Sequence, residues 1–174
     1  RDDAIVKKTM GTALGSIIPI SILVSAIGWL FAPLLLNLLG TPPSAVDLAL
    51  TYLRMIFIAM PVTLTFTLIM MALRGTGDST TPLWFIIISV IIDLILTPVL
   101  ILGIGPFPEW GIFGSAFATA VANTLALIGM VVTMYLRGSV LTLKLPELRF
   151  LRADRDILKS MFSKGLPMGL QMIV

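Results

Sequence analysis

The chain contains no cysteine and no histidine. The first absence excludes disulfides, thiolate metal ligation and cysteine nucleophiles. The second removes the commonest metal ligand and the side chain most often used for proton transfer near neutrality. Charge is scarce as well, at 12% of residues, against about a quarter in soluble globular domains. Apolar residues take up the difference: 57% of 174, with a mean hydropathy of +1.06, which describes a protein whose surface meets lipid. The net charge is +3 and the pI near 9.6, but seven of the twelve basic residues lie between Arg137 and Lys164, interleaved with acids. That distribution is an orientation signal rather than a polyanion-binding patch, so no nucleic-acid partner is expected.

Four apolar runs, at about 10–36, 50–73, 82–103 and 112–136, are each long enough to cross roughly 30 Å of hydrocarbon as a helix. None alternates strictly between apolar and polar residues, so the expected fold class is all-α, a polytopic bundle in a lipid bilayer, rather than a barrel. Arg1, Lys7, Lys8, Arg74 and the basic stretch after Leu136 flank alternate connections, whereas 40–46 and 103–111 carry no Lys or Arg. This asymmetry places the visible N-terminus in the cytoplasm. Trp29 and Trp110 are expected toward the outer interface, Trp84 and Tyr135 toward the inner one, with Arg54 snorkelling to the headgroups.

The breaker clusters Gly40-Thr41-Pro42-Pro43 and Gly105-Pro106-Phe107-Pro108 suit external turns. On the inner side Thr81 is expected to cap the third helix, with Pro82 at its first position, and Arg74 to pair with Asp78 across the turn. In 137–164, Ile157, Leu158, Met161 and Phe162 recur at helical spacing opposite charged residues. They predict an amphipathic connector on the cytoplasmic membrane face. The final GLPMGLQMIV, 165–174, reads as the start of a further span.

Within this apolar frame Asp93 stands out as the lone carboxylate of the run 83–102, roughly 15 Å from either end at 1.5 Å per residue. An acid at that depth costs about 2.5 to 3.5 kcal/mol on insertion scales, which marks it as a functional candidate. Thr97 follows it on the same face, and the fourth span carries Ser115, Thr119 and Asn123 at four-residue steps. If the two spans are neighbours, Asp93, Thr97, Thr119 and Asn123 converge on one pocket of oxygen-rich groups, suited to a proton or a sodium ion as coupling ion. A purely structural hydrogen bond from Asp93 across the interface is the other reading of the same residues. Beside the polar row, Gly114, Ala118, Ala122 and Ala126 form a ridge for close helix packing, with Ala116 on another face. Pro19, Pro61 and Pro98 predict kinks, and Pro61 and Pro98 are the gating candidates. Gly75-Thr76-Gly77 lacks the strand and lysine of a phosphate loop, and the ten Met residues are scattered as gap-fillers. No cofactor is expected, and no metal beyond a sodium site at Asp93.

The order of these segments resembles the multidrug and toxic compound extrusion (MATE) family. The resemblance is carried by MALRGTGDSTTP, then an apolar helix with polar-x-x-x-polar-Pro, then GIGPFPEWGIFGSAFATAVAN. It covers nearly the whole chain, including the basic connector and the terminal GLPMGLQMIV. It implies a twelve-helix protein in two six-helix lobes, of which this chain resembles the third to sixth helices, the inter-lobe loop and the start of the seventh. It implies cation-coupled antiport, in which sodium or protons enter as small organic, often cationic, molecules leave across a bacterial or archaeal inner membrane, the full-length protein acting as a monomer. The family's fifth helix usually carries Asn and then Asp directly before Pro. The matching positions here are Asp93 and Thr97 before Pro98, so the carboxylate sits one turn earlier, while Thr119 matches a polar threonine of the sixth helix.

Two other functions fit the same features: a flippase for lipid-linked precursors, and a membrane subunit without transport activity in which Asp93 serves assembly. An enzyme is not expected, because the visible spans offer neither His nor Cys nor a second intramembrane acid.

Overall fold

The computed structural model describes residues 3–139 and 141–142. Every regular element among them is an α-helix: α1 (Asp3–Leu38), α2 (Val46–Gly75), α3 (Thr80–Leu102) and α4 (Gly111–Leu136). Even α3, the shortest at 23 residues, is about 35 Å long, enough to span the hydrocarbon of a bilayer. The apolar runs lie within these helices except at 103, where α3 has just ended, and α1 and α2 extend beyond their runs. Hydropathy marks only the part of a helix that lies in hydrocarbon. The backbone stays helical through Lys7 and Lys8 and stops where a breaker stops it, as at Gly40, whose φ is +66°.

α1 packs on α2, α2 on α4 and α4 on α3, while α2 only lightly meets α3, so the spatial order is α1, α2, α4, α3. One end of the bundle carries Lys7, Lys8, Arg74 and Arg137 and is called the basic end here; the other carries the proline-containing loops 39–45 and 103–110. The main apolar core lies toward the basic end, where Met10 of α1, Phe66, Ile69 and Leu73 of α2, and Ala126, Met130 and Met134 of α4 are all buried. Elsewhere the helices present broad apolar faces, with Leu94 73% and Leu30 65% exposed, the expected surface for lipid or further helices.

The α3–α4 connection shows how the seam between those helices is set. Gly103 takes a left-handed conformation at φ +65°, and Ile104 N–H donates to the Val99 carbonyl at 3.0 Å. The chain then folds back so that Trp110 N–H donates to the Leu100 carbonyl at 3.0 Å. A Cβ on Gly103 would sit 2.8 Å from the Glu109 nitrogen, so only glycine fits. Trp110 then meets Phe113 and Phe117 edge-on, at centroid distances of 5.6 and 5.2 Å.

Three local expectations are corrected. Thr81 lies inside α3 and does not cap it; its N–H donates instead to Asp78 Oδ1 at 3.0 Å. Pro82 is correspondingly the third helical residue. Among the described residues Asp78 forms no ion pair with Arg74. The Thr81 hydroxyl and amide, then the Thr80 amide and the Arg137 charge, hold the Asp78 carboxyl below the usual carboxylate range. Arg137, just past α4, also donates to the Thr81 hydroxyl at 3.0 Å, tying the two helices at the basic end. Arg54 makes a contact between helices. Its guanidinium lies 4.5 Å over the Trp29 ring of α1, and its Nε is buried without a partner among the described residues. The amphipathic stretch around 157–162 and the run at 165–174 lie outside the described residues.

Candidate functional site

Antiparallel packing of α3 on α4 brings Ser89 opposite Asn123 and Asp93 opposite Thr119. The close approach is made possible by the small-residue ridge: Gly114 is buried, and Ala118, Ala122 and Ala126 are no more than 1% exposed. A Cβ at Gly114 would come within 2.8 Å of the Leu100 carbonyl oxygen, so glycine there lets α4 lie directly against α3's backbone. Ala116, on another face, is also buried at 6% exposure; burial on α4 is therefore wider than the four-residue ridge.

The polar groups of the seam fall into two clusters. In the first, Asp93 Oδ1 accepts two hydroxyls, from Thr97 at 3.2 Å and from Thr119 at 3.1 Å. Thr119 Oγ1 also lies 3.2 Å from the Ser115 carbonyl of its own helix. Asp93 Oδ2 has no donor among the described residues. Asp93 and Thr97 are half-buried and Thr119 is exposed, so the cluster opens at the edge of the seam. In the second, one turn toward the basic end, Ser89 Oγ donates to Asn123 Oδ1 at 3.1 Å, and Asn123 Nδ2 donates to Thr63 Oγ1 of α2 at 3.4 Å.

Asp93, Thr97 and Thr119 are thus brought together, whereas Asn123 turns away from Asp93 and joins three helices. Ser89 and Thr63 belong to the polar network and were missed. Ser89, four residues before Asp93, could have been found from the same spacing that selected Thr97; Thr63 carries no such signal, because its role depends on α2 lying against α4. Ser115 contributes its carbonyl, its own hydroxyl donating back to Ile112 at 3.2 Å. Pro98 is exposed, and the carbonyl its ring leaves without a helical donor is that of Leu94, about 100° round the helix from Asp93. That carbonyl does not join the cluster. Among the described residues no group of three or more acidic, His or Cys side chains could hold a metal ion.

Four membrane-length apolar helices with a polar seam between two of them define an integral membrane protein of the polytopic helical class. The chain belongs to the MatE family, whose sequence profile matches residues 3–99. It is similar to the probable multidrug resistance protein YoeA of Bacillus subtilis, 34% identical over 97% of this chain and 36% of that protein. A FAD transporter of Shewanella oneidensis is 34% identical over 80% of this chain and 29% of its own length. The multidrug export protein MepA of Staphylococcus saprophyticus is 24% identical over 79% and 29%. The chain therefore spans about a third of the length of these curated relatives. No solved structure matches it significantly.

Proposed function

We propose that the chain supplies four helices of one lobe of a cation-coupled exporter of small organic molecules, with Asp93 as the coupling carboxylate of this segment. The observation that carries the reading is the Asp93 cluster: a carboxylate about 14 Å from the end of α3, holding two hydroxyls on one oxygen and leaving the other oxygen to an ion. Ionised, it would hold sodium with the hydroxyl oxygens beside it; protonated, it would carry the proton itself. The substrate class is supported by relatives named for multidrug resistance, multidrug export and FAD transport. Because one of these names an anionic dinucleotide at 34% identity, the proposal is of organic molecules in general and not of cations alone. The remaining readings, a cytoplasmic basic end, a bacterial inner membrane and a monomeric whole protein, belong to the same proposal.

Asp93→Asn keeps the size of the side chain and removes the charge. In proteoliposomes of the full-length protein under an imposed proton or sodium gradient, efflux should collapse while the folded yield is kept. Wild-type efflux would place coupling elsewhere. Loss of folded protein along with activity would make Asp93 an assembly residue.

A further inference from the structure

A proline inside a helix leaves the carbonyl four residues earlier without its N–H donor. For Pro61 of α2 that carbonyl is Phe57's, and it is not orphaned: Ser25 Oγ of α1 donates to it across the interface. The neighbouring contacts lie on the same side of the proline. A Cβ at Gly28 of α1 would overlap the Phe57 ring, and Arg54 stacks on Trp29 at 4.5 Å. Residues 46–60 of α2 are thus clamped to α1.

Past Pro61 the attachments change partner. Thr63 accepts from Asn123 of α4 at 3.4 Å, and Phe66, Ile69 and Leu73 are buried with Ala126, Met130 and Met134 of α4. At that level an apolar groove of about 450 Å³, lined by residues including Val6, Thr9, Leu68 and Met71, opens between α1 and α2, and α1 meets the core there through apolar packing of Met10, Val6 and Leu14. The helix is also softened there. Thr63, Thr65 and Thr67 donate to the carbonyls of Ala59, Pro61 and Thr63 at 3.2, 2.7 and 2.9 Å, and such back-bonding weakens and bends helices.

We propose that α2 is a lever hinged at Pro61, its residues 46–60 moving with α1 and its residues 62–75 staying with α4, with the Ser25-to-Phe57 hydrogen bond as the pin. The break leaves no orphan carbonyl because α1 supplies the missing donor, and with the bond from residue 61 to Phe57 absent the helix resists a change of angle less there than elsewhere along its length. Only the use of the hinge in transport rests on the export reading; the hinge itself is a property of three helices.

Two measurements on the full-length protein test it without substrate or ion gradient. Ser25→Ala should lower the unfolding midpoint when Pro61 is present and leave it unchanged beside Pro61→Ala, where an alanine N–H restores the helical bond to Phe57. Equal shifts in the two backgrounds would overturn the pin. The second uses wild-type α2 and so does not depend on either variant folding. Spin labels at Leu48 and Ile112, across the hinge, should give a broad or two-peaked distance distribution, whereas Leu48 with Leu30 and Met71 with Ile128 should each give one narrow peak. A distribution for Leu48 and Ile112 as narrow as the other two would rule out the hinge. A failure of ion-driven efflux would sink the export reading and leave both results standing.

Discussion

At Asp93 a single carboxylate oxygen receives hydroxyls from two helices, while Asn123, at the next turn of α4, spends both ends of its amide on Ser89 and Thr63. The two side chains should therefore fail in different ways. Thr119 is exposed, and replacing it with valine removes one donor from Asp93 without leaving a buried group unpaired. Thr119→Val should reduce ion-driven efflux at unchanged folded yield. Asn123→Leu strands the Ser89 hydroxyl, which is 7% exposed, at a cost of about 1 to 3 kcal/mol for an unsatisfied buried group. It should lower the unfolding midpoint and the folded yield. Efflux assays beside size-exclusion profiles distinguish the two, and an interchange of phenotypes would show that the clusters have been assigned the wrong way round.

Among the elements, α4 is the one whose sequence leaves least room for change. Its ridge runs from Gly114 through Ala118, Ala122 and Ala126 to Met130 and Met134, all of them buried. Small residues let α3 approach near the proline-loop end, as Gly114 does against Leu100, whereas Met130 and Met134 pack with Phe66, Ile69 and Leu73 of α2 toward the basic end. Ala118→Leu forces three extra carbons into that contact and should destabilise the fold by about 1 to 3 kcal/mol. Ala120→Leu, at a half-buried position, is the appropriate control because Ala116 is itself buried. Thermal unfolding in detergent should show a lower midpoint for the first variant; equal midpoints would mean that α3 has room to move aside. α2 contrasts with α4, since its partner changes along its length and its middle is interrupted at Pro61.

For the whole molecule, the Lys and Arg asymmetry between the two ends motivates an orientation that labelling can check, since this segment has no cysteine of its own. Single cysteines at Ser44 or Glu109 should react with an impermeant reagent added outside intact cells, and one at Ser139 should react only after permeabilisation. The opposite pattern would invert the protein. The helical membrane class follows from composition alone, because four uncharged or nearly uncharged runs longer than 20 residues have no stable place in water and leave their backbones no partner in lipid except themselves. Asp93, its Thr97 neighbour and the alanine ridge were legible for the same reason: helical spacing puts residues four apart on one face whatever surrounds the helix. What lies across from that face is not a local property. Tertiary packing alone decided that α2 sits against α4, and so that Asn123 reaches Thr63 instead of Asp93. It also decided that Arg54 crosses to Trp29 and that a serine 32 positions from Phe57 gives the Phe57 carbonyl the hydrogen bond Pro61 cannot make. Such pairings depend on the relative rotation and depth of separate helices, which side-chain packing between them sets and no periodicity within one helix encodes.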